Sequence, residues 1–194
     1  MSWTRAFDQR PSRRRLGAAP SLLSLLVCLI LASSPVIASE AETNAPPAAS
    51  DVFASLAKLE GEWQATIGPE GSDEKQQSAH LFRNASNGTV VMETMWPGGD
   101  HEMINMYHMD GDALVLTHYC AGGNQPRMKY DPAKSEAGRL FFAFDGGTNL
   151  DPEKDGHIHS AEIQLGEDGV ISHWHGYYEG KRAGTQIFEL TRTQ

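Results

Sequence analysis

The sequence predicts an all-β protein, an antiparallel up-and-down β-barrel of about eight to ten strands with a short helix before its first strand. Three observations support this prediction. Side chains alternate with period two in every periodic segment from Trp63 to Arg192, as half-buried strands require. Tight-turn dipeptides such as Asn87-Gly88 and Asp110-Gly111 separate these segments. No segment between strands is long enough for a crossover helix, which excludes a parallel α/β sheet.

Residues 1–38 are predicted to be a cleavable signal peptide. Five arginines precede a short apolar run from Leu22 to Leu31, and the small residues at Val36-Ile37-Ala38 suit a cleavage site. The run is shorter than the roughly 20 apolar residues that a membrane-spanning helix needs, so no stable membrane insertion is expected after cleavage. The segment from Ser12 to Gly17 also resembles a twin-arginine export signal. The protein is therefore expected to be exported, to the periplasm or the extracellular space.

The charge balance and the cysteine count limit the partners and the chemistry. The whole chain carries 16 basic and 25 acidic residues, a net charge of −9. Removal of residues 1–38 takes away five arginines and one aspartate, which leaves 11 basic and 24 acidic residues and a net charge of −13. Because this charge repels phosphate groups, nucleic acid is excluded as an expected partner. Cys120 is then the one remaining cysteine, so no intramolecular disulfide is expected.

Composition and periodicity predict a leader, a helix and ten strands after residue 38. Residues 39–50 are rich in Ala, Pro, Glu and Thr and are predicted to be a flexible leader, because they cannot bury enough apolar surface. The barrel domain is predicted to span residues 51–194 and to begin with a short helix from Asp51 to Leu59 that closes one end of the barrel. The ten predicted strands are Trp63 to Ile67, Gln77 to Arg83, Thr89 to Trp96, Glu102 to Met109, Ala113 to Cys120, Arg127 to Tyr130, Arg139 to Phe144, His157 to Leu165, Ile171 to Tyr178 and Thr185 to Thr191.

Three residues at the two ends of the barrel domain resemble a known superfamily. Gly61 and Trp63 lie on the first predicted strand behind a short helix, and Arg192 lies near the end of the last strand. This arrangement is similar to that of the calycin superfamily of lipocalins and fatty-acid-binding proteins. The resemblance implies that Trp63 plugs the closed end of the barrel and that Arg192 packs across it.

A longer likeness runs from about Leu56 to Arg192. Its most specific part is the stretch from Leu116 to Met128, Leu-Thr-His-Tyr-Cys-Ala-Gly-Gly-Asn-Gln-Pro-Arg-Met. The chain resembles a family of exported bacterial proteins of unknown function, of the DUF1579 or lipocalin-like kind. The resemblance implies a fold and brings no established activity. The other segments that carry it are His101-Glu102-Met103, Tyr107-His108, Thr148-Asn149-Leu150 and His157-Ile158-His159.

Four histidines occur in two pairs, each with one residue between its members. The pairs are His157 with His159 and His173 with His175. Residues of one parity share a face of a strand, so each pair presents both rings on one side. If the turn between the strands is a three-residue loop ending at Gly169, both pairs line one surface, and such a cluster suits Zn or Cu. If the turn has two residues, odd positions face even positions and the cluster dissolves. The second pair then lies on the outer face.

The hairpin from Glu102 to Cys120 has the same ambiguity of register. A bulged Asp110-Gly111 turn would place Glu102 opposite His118. A carboxylate beside an imidazole raises its pKa and fixes its tautomer, which suits acid–base chemistry or the support of a metal ligand. In another register this is a simple polar contact. Cys120 is expected to be a small buried hydrophobe rather than a nucleophile.

Two glycine-containing loops are predicted to share the open end of the barrel. They follow the fifth and seventh predicted strands, two connections apart in an up-and-down meander, so they lie at the same end. The first contains Asn124 and Gln125 and lacks the spacing of a phosphate-binding loop. The second contains Asn149 and is acidic without EF-hand spacing. The expected mouth has these three residues at its rim and His118 just inside.

The sequence favours a non-enzymatic carrier or sensor that binds a small apolar or amphipathic molecule inside the barrel. No serine elbow, zincin helix, Cys-x-x-Cys pair, Rossmann glycines or Walker loop occurs, so no catalytic residue is assigned. One alternative is a histidine-lined barrel that binds Zn, Cu or haem and has hydrolytic or redox activity. Another is a packed envelope protein. The candidate ligand-binding residues are Tyr107, His118, Asn124, Gln125, Met128 and Asn149.

Overall fold

The computed structural model describes residues 45–193, which form a closed antiparallel barrel of ten strands preceded by one short helix. The elements are α1 (Ala49–Ala57), β1 (Gly61–Pro69), β2 (Gln76–Ala85), β3 (Val90–Met95), β4 (Met103–Asp110), β5 (Ala113–Tyr119), β6 (Gln125–Tyr130), β7 (Arg139–Thr148), β8 (His157–Leu165), β9 (Gly169–Tyr178) and β10 (Lys181–Arg192). Each strand pairs with the strands next to it in sequence, and β10 pairs with β1 to close the barrel. No helix in this range is long and apolar enough to cross a membrane.

The predicted all-β barrel and its ten strands are confirmed, with strand ends within about four residues of the predicted ones. The predicted start of the helix is wrong by two residues, because α1 begins at Ala49 and so includes the end of the predicted leader. The carbonyl oxygen of Pro47 also accepts a hydrogen bond from the Tyr130 hydroxyl at 2.9 Å, which attaches this segment to the barrel. The predicted signal peptide and the leader up to residue 44 lie outside the described residues.

Trp63 and Arg192 close the end of the barrel where β1 begins. The guanidinium carbon of Arg192 lies 4.5 Å from the centre of the Trp63 ring, a distance that suits a cation–π contact. The Arg192 nitrogens donate to the carbonyl oxygens of Glu60 at 2.8 Å and Lys58 at 3.0 Å. Trp63 Nε1 donates to the carbonyl oxygen of Leu59 at 2.8 Å. The contact that the calycin resemblance implies is therefore present.

A glycine and the short helix complete this closed end. Gly61 has a φ of +131°, and a Cβ at this position would lie 3.0 Å from Arg192 Nη1, so both backbone conformation and space require glycine. In α1, Val52 and Leu56 are buried, and the helix packs against β4 and β5. The amphipathic stripe of the helix therefore covers the closed end, as predicted.

The interior is lined by alternate residues of the strands. Leu114, Leu116, Met128 and Phe142 are among the fully buried apolar side chains. Because successive strands are antiparallel, the β3–β4, β5–β6, β7–β8 and β9–β10 connections all lie at the end opposite the Trp63 plug. We call this the open end.

Candidate functional site

A connected set of polar side chains is buried inside the barrel and crosses four consecutive strands. We call it the inner network. It consists of His80 on β2, Glu93 on β3, Asn105 and Tyr107 on β4, and His118 on β5. None of these residues is more than 3% exposed, so each hydrogen bond among them is made away from water, where an unsatisfied polar group is costly.

Glu93 is the centre of the inner network. Its Oε1 accepts a hydrogen bond from His80 Nδ1 at 2.7 Å. Its Oε2 accepts from Asn105 Nδ2 and from the Tyr107 hydroxyl, both at 2.8 Å. Burial by itself raises the pKa of this carboxyl, but the hydrogen bond and the charge interaction with His80, together with the hydrogen bonds from Asn105 and Tyr107, outweigh burial and hold the pKa of Glu93 below its usual value. Glu93 is therefore an ionised carboxylate in a dry interior.

Asn105 links Glu93 to His118 by two hydrogen bonds. Because a carboxylate can only accept, the amide of Asn105 must direct its NH₂ group towards Glu93. Its carbonyl oxygen then faces His118 Nδ1 at 2.7 Å. An amide oxygen can only accept, so His118 Nδ1 must carry the proton and donate it. The tautomer of His118 is thus set by a carboxylate two residues away in the hydrogen-bond chain.

His118 consequently presents a bare lone pair at Nε2. Burial lowers the pKa of His118 to about 4, although the nearby Glu93 acts in the opposite direction, so the ring is neutral at ordinary pH. The Nε2 atom is buried and has no hydrogen-bond partner within residues 45–193. The ring of Trp174 on β9 packs against it, with 5.7 Å between the ring centres. Such a buried acceptor without a donor is uncommon in folded proteins.

The other end of the inner network has a similar feature. His80 Nε2 is also buried without a hydrogen-bond partner in the described residues. The His80 ring lies 5.2 Å from the ring of Phe188, which in turn lies 5.5 Å from Trp96 at the open end. Burial and the charge of Glu93 raise the pKa of Tyr107 well above its usual value, so this hydroxyl remains a donor.

The predicted partner of His118 is wrong. The β4–β5 ladder pairs Asp110 with Ala113, and this register places Asn105 opposite His118. Glu102 lies before β4 and accepts a hydrogen bond from the backbone N–H of Gly98 at 2.6 Å. The turn is one residue shorter than the bulged turn that the prediction assumed, so the opposite face of β4 points inward.

The four-histidine cluster does not form. The β8–β9 ladder pairs Ala161 with Trp174 and Glu162 with His173, so odd positions face even positions. This is the parity of the two-residue turn, but the turn residues are Glu167 and Asp168, with the N–H of Gly166 donating to the carbonyl oxygen of Gly169 at 2.9 Å. His173 and His175 belong to the opposite face from Trp174, and His175 Nε2 lies 3.4 Å from a Glu162 oxygen. Within residues 45–193 no group of three or more His, Cys, Asp or Glu side chains could hold a metal ion.

His157 and His159 do meet, in a second group that we call the rim cluster, with Phe144 and Tyr177. His157 Nδ1 donates to the carbonyl oxygen of Asp155 at 2.9 Å, which leaves its Nε2 to accept from His159 Nδ1 at 3.1 Å. The His159 ring is stacked between Phe144 and Tyr177, with ring centres 4.5 Å and 4.0 Å away. Burial, followed by the influence of His157, lowers the pKa of His159.

The rim cluster fills a gap in backbone pairing at the open end. The β7–β8 ladder stops at Ala143 and Ser160. Beyond this point, the upper part of β7 pairs with β6 and the start of β8 pairs with β9 across a bulge. In this part of the barrel wall, contacts between aromatic and imidazole rings therefore join β7 to β8 in place of backbone hydrogen bonds.

The predicted rim residues do lie together at the open end. Asn149 Nδ2 donates to the carbonyl oxygen of Gly123 at 2.7 Å, and Asn124 Nδ2 donates to the carbonyl oxygen of Gly156 at 2.8 Å. Gln125 Oε1 accepts a hydrogen bond from the Thr148 hydroxyl at 2.8 Å. Asn124 is buried, and its Oδ1 has no hydrogen-bond partner in the described range. These contacts hold the two loops to each other, and their role in ligand binding stays a prediction.

The remaining predicted residues lie at defined places. Tyr107 and Met128 are buried in the interior, the first in the inner network and the second among apolar side chains. Cys120 is half-buried after β5, and its Sγ accepts a hydrogen bond from the N–H of Gly122 at 3.3 Å. A cleft of about 860 Å³ at the closed end, beside the β8–β9 connection, contains none of the predicted site residues.

Comparison with known proteins finds similarity to solved structures only. No protein-family model matches the chain, and no curated protein matches it. A solved structure of a protein of unknown function from the DUF3598 family of Nostoc punctiforme PCC 73102 is similar, with a TM-score of 0.46 and 12% sequence identity. The match covers 70% of this chain and 47% of that protein, so this chain spans about half of its length.

Proposed function

We propose that this protein is a non-enzymatic carrier or sensor that binds a small apolar or amphipathic molecule inside its barrel, next to His118. We also propose that it belongs with the calycin-like, DUF1579-like proteins that its sequence resembles and that it acts after export. The closed barrel and the Trp63–Arg192 plug support the proposed relationship to calycin-like proteins. The residues proposed to contact the ligand are His118 and His80 inside and Asn124 at the rim.

One observation carries the proposal: the interior contains buried polar atoms that the protein itself does not satisfy. His118 Nε2 and His80 Nε2 have no hydrogen-bond partner among the described residues. Each unsatisfied buried group costs roughly 1–3 kcal/mol, and folded proteins keep few of them unless water or a ligand supplies the missing bond. Trp174 and Phe188 flank these two atoms, which suits a ligand with an apolar body and one polar group.

A second candidate function is the binding of a metal ion or haem. The observation that favours it is again His118, because a ring whose Nδ1 donates to a fixed oxygen and whose Nε2 is bare has the orientation of a metal-ligating histidine. Within residues 45–193 no group of three or more His, Cys, Asp or Glu side chains could hold a metal ion, so this candidate is a centre with one or two protein ligands, such as a haem iron.

Native mass spectrometry of the protein purified from its native host tests the proposal, together with metal analysis and an absorbance spectrum. We expect one bound organic molecule per chain and no stoichiometric metal. About one Zn, Cu or Fe per chain, lost in His118→Ala, would favour the second candidate. Neither ligand nor metal would favour a packed envelope protein. His173→Ala is the matched control, because it removes a histidine from the face opposite Trp174.

A further inference from the structure

We propose that the inner site selects a ligand whose buried head group is an uncharged hydrogen-bond donor, such as an alcohol, a phenol or a primary amide, and that it rejects a carboxylate. This inference rests on the proposed function and deepens it, because it names the class of ligand. It follows from the direction in which hydrogen bonds run through the inner network.

The first step is that His118 can only accept at the position that a ligand would reach. Glu93 fixes the amide of Asn105, and Asn105 fixes the proton of His118 on Nδ1. Each link is forced, because a carboxylate and an amide oxygen have no proton to donate. The lone pair at His118 Nε2 therefore needs a donor from the ligand, and a deprotonated carboxylate offers none.

The second step concerns charge. Within residues 45–193 no lysine or arginine side chain is buried, and the buried polar and charged residues are His80, Glu93, Thr94, Asn105, His118, Asn124, His157, Ser160, Ser172, His175 and Thr185. A carboxylate entering beside His118 would join the charge of Glu93 in the same dry interior. The one basic ring that contacts Glu93 is His80, whose Nδ1 already donates to Glu93 Oε1 at 2.7 Å. Two like charges with no arginine or lysine among the buried residues to pair with the second one repel strongly where the effective dielectric constant is low.

The third step is that a neutral His118 does not convert to a donor near neutral pH. Its burial against Trp174 disfavours the imidazolium form, so the ring does not rescue an acidic ligand by taking up a proton. A site whose buried atom accepts a hydrogen bond discriminates strongly against a ligand that can only accept, because the two acceptors are then both left without a donor.

Three matched ten-carbon probes test the inference at pH 7.5: decanamide, 1-decanol and decanoate. Binding is followed by tryptophan fluorescence and isothermal titration calorimetry. We expect decanamide and 1-decanol to bind at least about tenfold more tightly than decanoate. The preference should shrink in His118→Leu and persist in His173→Ala.

The Glu93→Gln variant gives a sharper test, because a glutamine side chain can donate as well as accept. Asn105 is then free to reverse its amide, His118 is free to move its proton to Nε2, and the preference for donor probes should fall. Nitrogen-15 NMR of His118 reports the tautomer directly and should show the proton on Nδ1 in the wild type. A proton on Nε2 in the wild type would overturn the inference whether or not a probe binds.

The outcomes separate this inference from the proposed function. Binding of decanoate as tightly as decanamide would overturn the inference and leave the carrier proposal standing. Failure of all three probes to bind would overturn the proposed function, and the inference with it. Selective binding of the amide and alcohol that disappears in His118→Leu would support both.

Discussion

The inner network and the rim cluster both hold histidines by hydrogen bonds, yet they control the imidazole in different ways. In the inner network a buried carboxylate sets the tautomer of His118 through Asn105. In the rim cluster a backbone carbonyl sets the tautomer of His157, and His157 in turn sets the tautomer of His159. The inner side chains are almost completely buried, whereas His159 is half-buried. The inner network is therefore fully buried around an ionised carboxylate, while the rim cluster reaches solvent at His159.

This difference is the reason that we propose the inner network, and not the rim cluster, as the binding site. His159 is half-buried and can exchange its hydrogen bond for water at little cost, and His157 is buried with a partner for each ring nitrogen, so their arrangement demands no ligand. His118 Nε2 is buried away from water and has no hydrogen-bond partner among the described residues. The comparison predicts large effects of substitutions inside the barrel and small ones at the rim.

The largest expected effect follows from removing the centre of the inner network. Glu93→Ala leaves His80, Asn105 and Tyr107 without their common acceptor in a buried site. We expect the free energy of unfolding to fall by about 3–5 kcal/mol. Urea unfolding followed by circular dichroism measures it.

Glu189→Ala is the control for this experiment. Glu189 is exposed and pairs with Lys75 at 3.4 Å, so its removal should cost about 0–1 kcal/mol. Equal losses in the two variants would show that the inner network does not stabilise the fold and would remove the contrast between buried and exposed sites.

The next effect is a pH dependence from His118. Its pKa is about 4 in the folded protein against an ordinary value of 6.5, so between these values the unfolded chain binds a proton that the folded protein does not. Stability should therefore fall as the pH is lowered from 6.5 to 4, by about 3 kcal/mol in total from this group. Glu93, with its lowered pKa, loses its contribution as the pH falls below the ordinary carboxyl value of 4.5.

Unfolding measurements between pH 4 and 7 test this prediction. The His118→Gln variant should lose most of the slope in this window, because glutamine does not titrate. A variant with an unchanged slope would show that other groups carry the pH dependence.

The sequence predicts the barrel well and the inner network poorly, for one physical reason. Alternation identifies strands without identifying which face points inward. On β3 the residues Val91, Glu93 and Met95 share the buried face, but Val90 and Met92 make the other face equally apolar. The available signal for Glu93 was an acidic residue between the apolar Val91 and Met95 on one face of the strand. Without the register, the sequence does not tell whether that face points into the barrel.

The register accounts for the wrong pairing of Glu102 and decides between the two alternatives for the four histidines. A change of one residue in a turn moves every side chain of a strand to the opposite face. The position of Asn149 was easier to predict, because the end of the barrel at which a loop lies depends only on the number of strands before it. Its contact with Gly123 agrees with that counting.

A smaller effect is expected at the rim from Asn149. This residue has a φ of +50° and donates to Gly123, so Asn149→Ala loses a hydrogen bond and gains backbone strain. We expect a loss of about 1–2 kcal/mol by thermal unfolding. Asn149→Gly tolerates the backbone conformation and should lose less; an equal loss would assign the effect to the hydrogen bond alone.

The smallest expected effect comes from His159 in the rim cluster. Its pKa is lowered by burial and by His157, so its contribution has the same sign as that of His118: stability falls as the pH drops through the window below the ordinary histidine pKa. Because the ring is half-exposed, solvent screens the effect, and His159→Gln should change the pH-dependent part by less than about 1 kcal/mol. The same unfolding series that tests His118→Gln measures it. A change as large as that of His118→Gln would mean that the rim is as dry as the interior, and the rim cluster would then become a competing candidate for the binding site.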